Sequence, residues 1–125
     1  MKRMQRPALV LYAHGARDPR WAEPFDRLLA IVQAKRPSVP VALAFLDYLE
    51  PDLTKAVQAL VRQGANRIRI VPLFFGRGGH LRDDFPIQLA NAGAAAPNVT
   101  IEVAEAAGEA DAVLEALAEF AVSGI

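Results

Sequence analysis

Three residues that can bind a metal ion, His14, Asp47 and His80, each follow a short apolar run of the sequence. The chain has only two histidines and no cysteine, so a metal site would use nitrogen and oxygen ligands, and thiol chemistry is excluded. Two imidazoles and a carboxylate can hold a transition metal and leave coordination positions open for exchange. Divalent cobalt, iron, nickel and zinc all suit such ligands, and their order of affinity does not choose among them.

Four arginines lie close in sequence to the two histidines: Arg17, Arg20, Arg77 and Arg82. A guanidinium group is suited to paired hydrogen bonds with carboxylates, so these residues are candidates for binding an acidic ligand. The alternative is that these arginines are solvated surface charges. Neighbouring aspartates weaken any local positive field, which is consistent with this alternative.

Three glycines, Gly76, Gly78 and Gly79, precede His80. Glycine permits positive φ and lets the backbone approach a flat ligand closely. The segment lacks the Lys-Ser/Thr ending of a phosphate loop, and a dinucleotide fingerprint would follow the first strand instead. We therefore expect no nucleotide and no organic cofactor, and a mobile loop is the alternative interpretation of these glycines.

Short apolar runs alternate with segments of helical periodicity along the whole chain. The predicted strands are residues 8–13, 41–46, 67–75 and 99–103, and the predicted helices are residues 21–37, 51–64, 84–96 and 113–121. Four strand–helix units in series predict an α/β fold, with a parallel four-stranded sheet and helices on both faces. We expect a flavodoxin-like, doubly wound sheet of order 2-1-3-4, formed by one domain over residues 1–125.

Three prolines and two carboxylates give further local expectations. Pro51 is expected to be the first residue of the second helix, and Pro86 to lie in the first turn of the third. Pro72 is expected near the carboxyl end of the third strand, because it cannot donate a hydrogen bond within a sheet. Asp47 or Glu50 could simply cap the second helix, which is the structural alternative to metal binding.

The predicted topology brings the candidate ligands to one edge of the sheet. Ligands of open α/β sheets bind beyond the carboxyl ends of the strands, where the strand order reverses. With order 2-1-3-4 the reversal lies between the first and third strands, which His14 and His80 follow. Asp47, after the second strand, belongs to the same edge.

The overall composition narrows the classes of partner. Lys plus Arg and Asp plus Glu number 14 each, and this balance argues against a dedicated nucleic-acid-binding protein. The apolar runs are too short to span a bilayer, and the basic residues 1–6 precede only a strand-length apolar run. We expect a cytoplasmic protein with no membrane partner.

Three motifs at residues 13–19, 45–51 and 71–86 give the sequence a family resemblance. They read AHGARDP, FLDYLEP and VPLFFGRGGHLRDDFP, and their order and spacing resemble the short, single-domain members of the sirohydrochlorin chelatase family. The resemblance extends from about Leu9 to Ala96. It implies the class II chelatase fold and insertion of cobalt, or iron, in cobalamin or siroheme biosynthesis. It also implies metal binding by His14 and His80 and a homodimer whose cleft lies between subunits.

Two positions depart from the family's usual motifs. Ala16 stands where serine is usual, and Asp47 where glutamate is usual, which shortens the side chain by one methylene. These departures leave open a binding module without turnover, such as a carrier or regulatory subunit. A hydrolase is disfavoured because Ser38 and Ser123 lie away from the expected site, and bound flavin would instead indicate a flavodoxin-like binding domain.

The resemblance and the candidate residues together suggest a mechanism. The two histidines, with Asp47 as a possible third ligand, would hold the divalent ion while a flat, acidic tetrapyrrole enters between their loops. Two pyrrole protons must leave as the metal enters, and a histidine or Asp47 could accept one. Metal uptake is expected to weaken as the pH falls, because protonated imidazole does not coordinate metals.

Overall fold

A computed structural model of the chain describes residues 4–76 and 79–125, with only the backbone of residues 79–82. The strands are β1 (Pro7–Ala13), β2 (Val41–Phe45), β3 (Arg67–Pro72) and β4 (Thr100–Val103). The helices are α1 (Glu23–Lys35), α2 (Leu53–Arg62), α3 (Gly79–Ala95) and α4 (Asp111–Val122), and short 3₁₀ turns lie at Pro19–Ala22 and Ala107–Glu109. The predicted alternation of strands and helices is confirmed.

The four strands form a parallel sheet of order β2-β1-β3-β4, as predicted. β1 is central, since Leu9 pairs with Val41 of β2 and with Arg69 of β3. Parallel strands end at the same edge, and the residues that follow them are called the rim below. The rim consists of residues 14–18, 46–50, 73–76 and 104–106. Because the order reverses between β1 and β3, the rim contains the expected switch point.

One face of the sheet packs against α2 and α3 and forms the hydrophobic core. The strands contribute alternate residues, as the two-residue period of a strand requires: Ala8, Val10, Tyr12, Ala44, Ile68 and Ile70. Helix α2 buries Leu53, Ala56, Val57 and Leu60, whose spacing of three and four places them on one stripe. Helix α3 adds Ala92, with Phe85 and Leu89 partly buried against the cluster.

The opposite face of the sheet is covered more thinly. Helix α1 packs beside β2, where the rings of Trp21 and Phe45 lie 6.4 Å apart. Within the described part of the chain, neither α1 nor α4 contributes a fully buried residue. Under this face Arg69 is exposed, and Arg67 forms a half-exposed ion pair of 3.1 Å with Glu102. Helices thus lie on both faces, and the larger buried cluster lies on the α2–α3 face, while Leu11, Ala13 and Phe45 are buried on the other.

Helix α2 starts two residues later than predicted. Its first residue is Leu53, and Asp52 caps it by accepting a hydrogen bond of 2.8 Å from the backbone N–H of Lys55. The expectation that Pro51 is the first helical residue is wrong, because the capping aspartate follows that proline. Asp47 and Glu50 do not cap α2. The predicted end is confirmed, since Gly64 has a φ of +98° directly after the helix.

Helix α3 starts at Gly79, five residues before its predicted start near Asp84. Pro86 therefore lies inside the helix and not in its first turn. A glycine-rich sequence suggested a loop, but the packing of this helix on α2 and the core outweighs the weak helix propensity of its first residue. Pro72 is the last residue of β3, so its predicted place at the end of that strand is confirmed. No helix among the described residues is long and apolar enough to cross a membrane.

Candidate metal and ligand site

The backbones of His14 and Asp47 are joined directly at the rim. The carbonyl oxygen of His14 accepts a hydrogen bond of 3.0 Å from the N–H of Asp47. One residue earlier, the carbonyl of Ala13 accepts one of 2.9 Å from Leu46, so the pairing of β1 with β2 continues past both strands. The imidazole of His14 is exposed, and its Nδ1 lies 3.3 Å from the carbonyl oxygen of Gly15. A donated hydrogen bond there selects the tautomer whose Nε2 lone pair can coordinate a metal.

Gly15 makes this close approach possible. Its φ is +95°, and a Cβ atom at this position would lie 1.8 Å from the carbonyl oxygen of Asp47. Only glycine accommodates both the left-handed backbone and the contact. The requirement for glycine directly after His14 therefore follows from the passage of the two rim loops against each other.

The third part of the rim follows β3. The N–H of Leu73 donates to the carbonyl of Tyr12 at 2.8 Å, which holds this segment beside β1. Phe74 is buried and Phe75 is 64% exposed at the rim. Helix α3 begins at Gly79, so the backbone of His80 lies in its first turn. The side chain of His80 is not among the described residues, so its predicted place at the rim remains a prediction.

The 3₁₀ turn at Ala107–Glu109 supports the segment after β3. The N–H of Gly108 donates to the carbonyl of Phe74 at 2.8 Å. A Cβ atom on Gly108 would lie 2.5 Å from the Cα of Phe75, so a larger residue would displace this part of the rim. No sequence signal distinguished this glycine from an ordinary turn residue.

Arg17 and Tyr48 form a contact that sequence reasoning missed. The guanidinium carbon of Arg17 lies 5.2 Å from the centre of the Tyr48 ring, within the range of a cation–π interaction. Tyr48 is 58% exposed and has a φ of +66°, which is uncommon for a residue with a side chain of this size. The contact joins the loop after β1 to the loop after β2, in which Tyr48 directly follows Asp47.

Arg20 is differently placed, because it forms an exposed ion pair with Asp18. Its Nη2 lies 2.8 Å from Oδ2 of Asp18, and the side chains are 87% and 52% exposed. The hydrogen bond from the Arg20 side chain lowers the pKa of the Asp18 carboxyl, and the bond from the Arg20 N–H lowers it further. A ligand carboxylate would have to compete with Asp18 for Arg20, whereas Arg17 has no such ion pair among the described residues.

Several predicted site residues lie outside what the structure describes. Arg77 and Gly78 are not described, and for Gly79, His80 and Arg82 only the backbone is. Within the described side chains, no group of three or more His, Asp and Glu residues is arranged to hold a metal ion. The predicted ligand set includes His80, whose side chain is not among them, so metal binding by His14, Asp47 and His80 remains a prediction.

The fold and the rim define a class of protein: a small parallel α/β protein with a histidine and a carboxylate brought together at the switch point of its sheet. The CbiX family model matches residues 8–122. The chain belongs to the CbiX family.

Curated relatives carry a common name. A sirohydrochlorin cobaltochelatase of Methanocaldococcus jannaschii is 35% identical over 79 residues, which cover 63% of this chain and 55% of that protein. A protein of the same name from Saccharolobus islandicus is 32% identical over 85 residues, covering 62% and 59%. The matches therefore span little more than half the length of these relatives.

Solved structures resemble the whole fold. A cobalamin (vitamin B12) biosynthesis CbiX protein from Marinobacter aquaeolei has a TM-score of 0.79 and 31% identity, covering 92% of this chain and 93% of that one. SirB from Bacillus subtilis, solved with Fe³⁺, has a TM-score of 0.76 and 28% identity, covering 93% of this chain but 46% of SirB. The same protein from subspecies spizizenii, in complex with cobalt, is matched over 49% of its length.

Proposed function

We propose that this protein inserts divalent cobalt, or divalent iron, into sirohydrochlorin or a closely related acidic tetrapyrrole. The observation that carries the proposal is the direct backbone contact between His14 and Asp47 at the switch point. The names of the curated relatives and the metals bound to SirB support the same chemistry.

The metal is a substrate in this proposal. His14 and His80, as neutral imidazoles, hold the ion at the rim, and Asp47 is a third ligand. Such a set leaves coordination positions for the entering pyrrole nitrogens. Nickel would also suit these ligands, and the choice among metals depends on supply and fine geometry.

Insertion exchanges one divalent ion for two pyrrole N–H protons, so the site must also accept protons. In this proposal one of the two imidazoles, or the Asp47 carboxylate, acts as the general base. As the ion leaves an imidazole for the macrocycle, that imidazole nitrogen becomes able to accept a proton. No organic cofactor or nucleotide is required by this exchange.

The acidic edge of the macrocycle is bound by arginine in this proposal. Arg17 is the best-placed described candidate, because its guanidinium lies over the ring of Tyr48, the residue that follows Asp47 in sequence. Arg20, Arg77 and Arg82 are further candidates, and Arg20 would first have to leave Asp18. Gly78 and Gly79 would let the backbone approach the ring closely.

We also propose that residues 1–125 form a chelatase half-domain that pairs with a second copy of itself. Helix α4 supports this pairing, because four of its apolar side chains are between 40% and 78% exposed: Leu114, Leu117, Phe120 and Val122. The match to less than half of the SirB chain supports it further, since a second copy would restore the missing length. Helix α4 follows the Gly108 turn at the rim, so a partner seated on it would border the site. The cytoplasmic location remains a prediction.

An anaerobic absorbance assay tests the proposed activity. Sirohydrochlorin is mixed with divalent cobalt, and separately with divalent iron, without protein, with wild type, and with His14→Ala, His80→Ala or Asp47→Ala. We expect wild type to exceed the spontaneous rate, both histidine variants to lose that excess, and Asp47→Ala to lose much of it. Arg62→Ala, an exposed change at the far end of α2, serves as the matched control and should keep the wild-type rate.

The alternative function is a metal- or tetrapyrrole-binding module without turnover. The Ala16 and Asp47 departures from the usual motifs favour it. Wild-type protein that binds cobalt or the macrocycle and leaves the spontaneous rate unchanged would establish this alternative and reject the enzyme. In that case, the insertion rate of Asp47→Glu, which restores the usual side chain, tests whether the missing methylene accounts for the absence of turnover.

A further inference from the structure

A buried tyrosine and a glutamine connect three parts of the structure just beneath the rim. The hydroxyl of Tyr12 donates a hydrogen bond to Oε1 of Gln88 on α3. Nε2 of the same amide donates one of 2.9 Å to the carbonyl oxygen of Leu46. The Gln88 side chain thus spans from β1 to the loop after β2 and uses its donor and its acceptor at the same time.

Each end of this bridge lies close in sequence to a predicted metal ligand. Tyr12 lies two residues before His14, and Leu46 immediately precedes Asp47. Gln88 lies eight residues after His80 on α3, which is a little over two turns, or about 12 Å along the helix axis. The bridge therefore joins the three chain segments that carry His14, Asp47 and His80.

The apolar contacts around Tyr12 do not by themselves set the position of α3. The Tyr12 ring lies 5.6 Å from the ring of Phe74 and 5.2 Å from that of Phe85, and these contacts tolerate sliding. Hydrogen bonds are directional, so the amide adds a constraint on the rotation and height of the helix. The phenolic hydroxyl of tyrosine has one proton to donate, so Tyr12 is the donor and the Gln88 amide oxygen is the acceptor of their hydrogen bond.

We propose that Gln88 is a positioning residue for metal transfer, whose bridge between Tyr12 and Leu46 sets the first turn of α3 at the correct distance from His14 and Asp47. This inference rests on the proposed function. Glutamine is required because one side chain must accept from a hydroxyl and donate to a carbonyl. Glutamate keeps the first bond but places a charged oxygen against the Leu46 carbonyl, and methionine fills the space and keeps neither bond.

Three variants separate the two hydrogen bonds of the Gln88 side chain. Gln88→Met removes both bonds. Gln88→Glu removes only the bond to the Leu46 carbonyl, and Tyr12→Phe removes only the bond from the Tyr12 hydroxyl. Each is examined by circular dichroism, by the visible spectrum of bound divalent cobalt, and by kcat and KM with sirohydrochlorin. We expect folded proteins in which the cobalt spectrum changes and kcat falls about tenfold or more, while KM changes less than about twofold. Gln88→Met should show the largest change.

Ile68→Val is the matched control, because it removes one methylene from the same core at the far end of β3. A merely structural role predicts that Gln88→Met and Ile68→Val both lower the unfolding midpoint and both keep the wild-type cobalt spectrum. That result, or wild-type kcat in all three test variants, overturns the proposal. If Gln88→Met does not fold, Tyr12→Phe and Gln88→Glu decide the matter. If wild type has no turnover, the proposed function fails, and the cobalt spectrum still tests the positioning role.

Discussion

The two faces of the sheet differ in how much apolar surface they bury. The face against α2 and α3 contains the buried cluster, in which Val57, Leu60, Ile68 and Ile70 have no exposed surface. The face with α1 is thinly covered, and α4 leaves Phe120 78% exposed. The stability of one chain therefore comes mainly from the α2–α3 face, whereas helix α4 leaves apolar side chains exposed. The rim lies at the edge of the sheet between the two faces, where the loops after β1 and β2 meet.

The largest expected effect concerns stability and separates the two faces directly. Leu60→Ala should lower the free energy of unfolding by about 2–5 kcal/mol, because it opens a cavity in the closed core. Leu117→Ala, at a residue 40% exposed on α4, should cost less than about 1 kcal/mol in dilute protein. Urea unfolding measures both changes, and equal losses would contradict the comparison.

Charged substitutions on α4 test the exposed apolar surface of this helix at higher protein concentration. If α4 pairs two copies, Leu117→Glu with Phe120→Asp should convert a dimer to a monomer, because charges would be buried in an apolar interface. Glu119→Gln, on the same helix, should leave the dimer intact. Sedimentation velocity measures the mass, and a double variant that stays dimeric would remove α4 from the interface.

A pair of glycines compares the rim with the helical body. Gly15→Ala should destabilise the fold by about 1–3 kcal/mol and displace Asp47, since it combines a positive φ with a contact of 1.8 Å. Gly93→Ala, inside α3 with no neighbouring atom within 4 Å, should stabilise it by up to about 1 kcal/mol. Thermal unfolding and chelatase rates follow both variants. If Gly15→Ala changes neither the unfolding midpoint nor the rate, the loops after β1 and β2 can move apart without cost.

Two arginines test the part of the rim that leads into α1. Arg17→Ala should raise KM for the tetrapyrrole about tenfold, the effect of losing one charge-assisted hydrogen bond. Arg20→Ala should raise it less than about twofold, because Asp18 already holds that guanidinium. Steady-state kinetics with both variants distinguish them, and the reverse order would mean that Arg20 leaves Asp18 to bind the ligand.

The smallest expected effect is the acid dependence of the Asp18–Arg20 pair. Because the pKa of Asp18 is lowered in the folded chain, its contribution is present above the ordinary aspartate range, near pH 4, and is lost as the pH falls below it. Asp18→Asn should therefore lower the unfolding midpoint slightly at pH 7 and leave it unchanged at pH 3. A shift that is as large at pH 3 would point to the loss of the backbone cap at Arg20 instead.

Most of the fold was predictable because it depends on periodicity that each segment carries locally. The sheet order and the end of β1 at Ala13 agree with the sequence prediction, whereas β3 ends at Pro72, three residues before its predicted end. The start of α3 was not predictable from its glycines, because its packing on α2 and the core outweighs local propensity. The start of α2 was misplaced by two residues, since Pro51, Asp52 and Leu53 all fit a helix start.

The candidate site, like the fold, was predictable only in part. The sequence by itself determined which residues can do chemistry and, for His14 and Asp47, which edge of the sheet they share, because residue type and strand order suffice for that. Only the tertiary structure decided that the loops of His14 and Asp47 are in direct contact, that Arg17 lies over Tyr48 while Arg20 pairs with Asp18, and that Gln88 connects Tyr12 to Leu46. These contacts join segments distant in the chain, so their geometry depends on how the helices and loops pack rather than on any local pattern.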